Sequence, residues 1–115
     1  MAAEPKVCPL VSVVIPAYNA ADGIEESLST LQAQTYDELE IIVVDDGSTD
    51  ETPAIVRDVA ALDSRVSLVE QANQYAGVAR NNGLGHAHGE YVLFLDADDL
   101  FDPSMVERLV ARAEE

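Results

Sequence analysis

The feature that most constrains this chain is an alternation. Four short apolar runs are separated by stretches whose apolar residues recur at helical spacing. The runs are residues 10–15, ended by Pro16, then 40–44, 66–69 and 91–95, the last being the clearest. Their length and β-branched content read as strands. Residues 22–34 carry Ile24, Leu28 and Leu31 on one helical face, with Asp22 placed to cap the start. Thr52-Pro53 reads as an N-cap followed by a first-turn proline, and Ile55, Val56, Val59 and Leu62 continue that helix. Residues 76–87 form a third helical stretch, weakened by Gly83 and Gly85. Asp102-Pro103 opens a fourth, with Asp102 as its cap and Met105, Val106, Leu109 and Val110 as its apolar face. Strands apolar on both faces, alternating with amphipathic helices, demand a parallel sheet covered on both sides. The expected fold is therefore α/β, a Rossmann-like sheet of order β-α-β-α-β-α-β-α. Residues 1–115 form a single domain without repeat or linker.

Charge narrows the partners. Asp and Glu number 22 against 6 Lys and Arg, a formal charge of −16, yet 48% of the residues are hydrophobic, so the chain can build a core. Nucleic-acid binders and proteins docking on anionic lipid carry basic footprints, and this chain carries the opposite. Metal cations remain as natural partners. The single cysteine, Cys8, excludes an internal disulfide and a Cys-based zinc cluster, and reads as a small apolar filler ahead of the first strand. No apolar run approaches the ~18 residues of a membrane helix. The first nine residues lack the apolar stretch of a signal peptide. A reducing, cytoplasmic setting is expected.

Ligands of open α/β sheets bind beyond the carboxyl ends of the strands. Pro16-Ala17-Tyr18-Asn19 follows the first strand here, Asp45-Asp46-Gly47-Ser48 the second and Asp96-Ala97-Asp98-Asp99 the fourth. Five carboxylates on one rim repel one another unless a cation or hydrogen-bond donors lie among them. Such oxygen-rich groups suit Mg2+ or Mn2+, which take one or two carboxylates plus phosphate and water. The acids elsewhere, such as Glu25, Glu26, Asp58, Glu107 and Glu114, read as a solvated coat. His86 and His88 read as ordinary polar residues at a helix end. Asn19 and Asn82 read as loop and helix polar groups without a site role.

The segments Val-Ser-Val-Val-Ile-Pro-Ala-Tyr-Asn, Glu-Ile-Ile-Val-Val-Asp-Asp-Gly-Ser-Thr-Asp, Ala79-Arg80-Asn81-Asn82-Gly83 and Phe94-Leu95-Asp96-Ala97-Asp98-Asp99 together resemble family 2 glycosyltransferases of the GT-A fold. They come in the family's order, at similar spacing, over nearly the whole chain. The resemblance implies a nucleotide-diphosphate-sugar donor, most often a UDP-sugar, a divalent cation, and transfer usually with inversion to a glycosyl acceptor left unspecified. By position it implies that Pro16, Ala17 and Tyr18 line the base pocket and that Asp46 accepts a hydrogen bond from the base, with Asp45 supporting the loop. It also implies that Arg80 lies near the nucleotide or its phosphates. Asp96 and Asp98 match the Asp-x-Asp motif, and the metal ligands are drawn from Asp96, Asp98 and Asp99.

In this family a later part of the catalytic domain supplies the acceptor site and the general base. The chain is thus expected to be the donor-binding half, truncated, with an exposed sheet edge open to self-association and weak turnover by itself. A non-catalytic nucleotide-binding module is the alternative. A haloacid-dehalogenase-like phosphatase fits less well: Leu100 and Phe101 stand where that family has a Thr, and the only lysine is Lys6. A receiver domain would also need a late lysine.

Overall fold

A computed structural model describes residues 8–74 and 76–115. Four strands, β1 (Val11–Ala17), β2 (Leu39–Asp46), β3 (Val66–Gln71) and β4 (Tyr91–Phe94), alternate with α1 (Ile24–Gln32), α2 (Thr52–Leu62), α3 (Ala76–Gly85) and α4 (Met105–Ala113). Every strand pair is parallel, and the order is β3-β2-β1-β4. The expected architecture is present.

Handedness places the helices. Right-handed crossovers from β1 to β2 to β3 put α1 and α2 on one face. The connection from β3 must return across the sheet to β4, so α3 lies on the other. Val13, Ile15, Ile41 and Val43 accordingly pack with Ile24, Leu28 and Leu31 of α1, Val56 of α2 and Val106 and Val110 of α4. Val14, Ile42 and Val44 point the opposite way, against Ala79 of α3. The glycine inside α3 now has a reason. A Cβ on Gly83 would sit 3.0 Å from Val44 Cγ2 and closer still to Val14 Cγ1, so only glycine lets this helix lie so low on the sheet.

Several expectations change. Pro16 does not end β1. Val14 accepts a hydrogen bond from the Leu95 N–H, so Pro16, two residues on, turns its missing N–H to the same side, beyond the last paired residue of β4. The fourth strand, clearest in sequence, is the shortest of the four and lies at the sheet edge, with Phe94 46% exposed. Its apolar run reflects a face that α3 leaves uncovered. Asp22 caps nothing: Gly23 holds the N-cap position of α1 without a side-chain hydrogen bond. Thr52 lies inside α2, and its N–H and hydroxyl both donate to Asp50, at 2.9 and 2.5 Å. Asp102 acts one step early, accepting from Ser104 N and Oγ in the turn before α4. Leu62 and Leu109 are exposed, whereas Val56 of α2 and Val106 and Val110 of α4 are buried in the core, with Ile55, Val59 and Met105 packed against it. Cys8 is exposed rather than packed. His86 and His88 lie past the end of α3, where His88 pairs with Glu40 at 2.9 Å. Among the described residues no helix is long and apolar enough to cross a membrane.

Candidate functional site

Strand β1 has β2 on one side and β4 on the other, while its own crossover and that of α3 leave on opposite faces. Chains that diverge in this way open a crevice at the carboxyl end of the sheet. An open cleft of about 430 Å³ lies there, lined by Pro16, Tyr18, Asn19, Asp22, Asp96 and Asp98 among others. Four of the expected site residues, Pro16, Tyr18, Asp96 and Asp98, therefore line one cleft. Tyr18 stands 52% exposed, leaving its ring free to stack. Asp96 and Asp98 are both exposed.

The loops after β1 and β2 are tied to each other. Asn19 adopts a left-handed backbone, φ 49°, which asparagine tolerates better than most residues. Its side-chain carbonyl accepts from Thr49 N at 2.8 Å, and its own N–H donates to Ser48 Oγ at 2.9 Å. The N–H of Ala20 donates to Thr52 Oγ1 at 2.9 Å and that of Ala21 to Asp50 Oδ2 at 3.2 Å. The hydrogen bond from the Thr52 hydroxyl holds the Asp50 carboxyl below the usual aspartate range. Gly47, at φ +74°, completes the turn, and a Cβ there would strike the Asn73 backbone at 2.6 Å.

Neighbouring residues of a strand point to opposite faces, and this separates Asp45 from Asp46. Asp45 pairs in register with Ala17 and turns into its own loop, Oδ2 accepting from Ser48 N at 3.2 Å. Its Oδ1 is buried with no hydrogen-bond partner among the described residues. Asp46 turns to the α3 face. Its Oδ1 accepts from Gln71 Nε2 at 2.9 Å and Gln74 N at 2.8 Å, and its carbonyl accepts from Asn73 Nδ2 at 3.1 Å. Its Oδ2 takes part in none of the hydrogen bonds among the described residues.

The rim thus divides where the sequence suggested one cluster. Asp96 and Asp98 face the β1–β4 cleft, Asp99 is exposed outside the cleft wall, and Asp45 and Asp46 are each held elsewhere. Among the described residues no three Asp, Glu, His or Cys side chains converge to hold a metal ion by themselves. Two exposed carboxylates on one cleft nonetheless fit a hard cation whose remaining ligands are phosphate and water oxygens. Arg80 lies exposed on α3, and it forms none of the ion pairs found among the described residues, whereas Arg57, Arg65 and Arg108 each meet an acid.

Asn19 and Asn82, expected to have no site role, and Thr52, expected only to cap a helix, thus join Asp50 and Gln71, for which the sequence suggested no role, in holding the rim. The density of Asn, Ser, Thr and Asp around both loops was a signal for side-chain-to-backbone bonding. Nothing local marked Gln71 or Asn82, whose partners are distant in sequence.

The glycosyl transferase family 2 model matches residues 12–115. An uncharacterized glycosyltransferase of Haemophilus influenzae is 43% identical over 108 residues, 93% of this chain and 33% of that protein. The uncharacterized glycosyltransferase YibD of Escherichia coli is 46% identical over 103 residues, 90% of this chain and 30% of its own length. Among solved structures, S. aureus TarS 1-349 in complex with UDP-GlcNAc superposes with a TM-score of 0.80 at 34% identity, over 91% of this chain and 31% of that one. Mannosyltransferase PcManGT from Pyrobaculum calidifontis, in complex with GDP-Man and Mn2+, superposes at 0.81 with 38% identity, over 98% of this chain and 34% of that one. The chain spans about a third of the length of the relatives it matches.

Proposed function

The chain belongs to glycosyl transferase family 2, with a GT-A, Rossmann-like sheet, and from that premise we propose that its strand-end cleft is the donor site of an enzyme transferring sugar from a nucleotide diphosphate. One observation carries the reading: Pro16, Tyr18, Asp96 and Asp98, expected from the resemblance to meet the donor, line a single cleft. In this proposal residues 1–115 are the donor-binding half of the catalytic domain, and the general base and acceptor site lie outside them.

Each residue has a physical task. The Tyr18 ring offers a face to the base. Asp46 offers Oδ2 to a ring N–H, since an ionised carboxylate only accepts. Uracil and guanine both present such an N–H, and they are the bases in the neighbours' UDP-GlcNAc and GDP-Man. Cytosine and adenine present a lone pair there instead. Arg80 supplies a fork of donors to the phosphates. Asp96 and Asp98, with Asp99 at the margin, are the residues that would hold Mg2+ or Mn2+. That ion, when bound, supplies positive charge against the leaving diphosphate. Transfer with inversion is the expected course.

The test is a thermal-shift and calorimetric panel of UDP, GDP, CDP and ADP, with and without Mn2+. Stabilisation by UDP or GDP, greater with the cation, supports the donor site. No response to any of them at millimolar concentration refutes it. Turnover of a UDP-sugar, assayed where the general base and acceptor site are also present, distinguishes an enzyme from a module that only binds.

A further inference from the structure

We propose that Gln71 and Asn82 are positioning residues that aim Asp46 and so set the base preference of the nucleotide site. The inference rests on the donor-site reading above. Three elements meet here. Gln71, the last residue of β3, lies in register beside Asp46, the last residue of β2. Asn82 reaches them from α3, on the face of the sheet to which Asp46 turns. Gln71 Nε2 donates to Asp46 Oδ1 at 2.9 Å, and Asn82 Nδ2 donates to Gln71 Oε1 at 3.0 Å.

The direction of this relay is fixed by chemistry. The Asp46 carboxylate has no proton to give, so Gln71 must present its NH2. That turns the Gln71 carbonyl to Asn82, which must then present its own NH2. Each amide therefore has one permitted orientation. The Gln74 N–H, at 2.8 Å, is a second donor to Oδ1. With two donors on one oxygen the carboxylate cannot rotate without breaking both bonds, and Oδ2 is left as the oxygen that meets a base.

A held acceptor discriminates more sharply than a mobile one. It bonds the ring N–H of uracil and opposes the ring lone pair of cytosine, whereas a carboxylate free to turn can move off that lone pair and accept from the exocyclic amine beside it. Loss of the relay therefore lowers the ratio of UDP to CDP affinity. A general loss of structure would weaken both nucleotides alike.

The isosteric variant Asn82→Asp is the sharpest probe. A carboxylate at that position accepts from Gln71, whose amide must then flip and set its carbonyl against Asp46. Asn82→Ala removes the donor without imposing the flip. Calorimetry with UDP and CDP, in Mn2+, is expected to show the wild-type chain favouring UDP by at least about tenfold. The ratio is expected to fall several-fold in Asn82→Ala and further in Asn82→Asp, with CDP affinity no weaker. Should Asn82→Asp fail to fold, Asn82→Ala and Gln71→Met carry the test. An unchanged ratio in the folded variants overturns the relay and leaves the donor site standing. A wild-type chain that binds UDP no better than CDP overturns the base-reading role of Asp46, and the relay with it.

Discussion

The loops after β1 and β2 differ from the loop after β4, though all three border the same end of the sheet. The first two are laced together by Asn19, Ser48, Thr49, Asp50 and Thr52. The carboxylates of Asp96, Asp98 and Asp99 make no hydrogen bond with other described residues, and the loop rests on backbone contacts such as Asp99 N to Asp96 O at 3.4 Å. One side of the site is built before any ligand arrives. The other side presents bare negative charge. Preorganisation suits recognition of a base, whose shape is fixed. Bare carboxylates suit a cation that arrives with a diphosphate.

Substitutions on each side should behave differently. The largest effect is expected at Asp46. Asp46→Ala should weaken UDP binding about 10- to 100-fold even without metal, the value of one hydrogen bond to a charged group. Equal affinity in calorimetry would remove Asp46 from base recognition. Next comes the lacing. Asn19→Ala loses the bond to Thr49 and places an ill-suited residue at positive φ, costing about 1–3 kcal/mol in denaturant unfolding. Asn19→Gly keeps the conformation and should cost less. If the two variants unfold alike, backbone conformation has no part in holding these loops.

On the β4 side, Asp98→Ala should move the stability of the free chain by no more than about 0.5 kcal/mol, because it breaks no bond. It should nevertheless abolish the extra thermal stabilisation that Mn2+ gives to nucleotide binding. A large loss of stability, or an intact metal response, would erase the contrast between the two sides. The smallest effect is a pH dependence. The Thr52 hydroxyl lowers the Asp50 pKa in the folded chain, so this contribution is complete above the unfolded value of about 3.9 and is lost as pH falls through the lower folded value. In NMR the Asp50 carboxyl should titrate below an ordinary aspartate, and Thr52→Val should bring it back towards normal.

The sequence made the layering legible because it depends on periodicity alone. Val13 and Val14 were bound for opposite faces whatever their neighbours. The rim was legible as a set of acids but not as an arrangement. Strand alternation sends Asp45 and Asp46 apart, and whether each finds a donor depends on Ser48, three residues away, and Gln71, twenty-five away. The end of β1 was misplaced because a proline stops a strand only where its N–H is needed, and that depends on where β4 ends. Gly83 looked like a weakness in α3 until Val14 and Val44 were seen beneath it.

The central claim is that the acidic rim holds an anionic donor tightly only when a cation joins it, and calorimetry of UDP-sugar and Mn2+, separately and combined, tests it most directly. Mn2+ alone should show little binding, since no three protein ligands converge among the described residues. UDP-sugar alone should bind weakly, through the laced loops. Together they should bind at least about tenfold more tightly than UDP-sugar alone. Donor affinity unchanged by Mn2+ and by its removal with chelator would contradict the account.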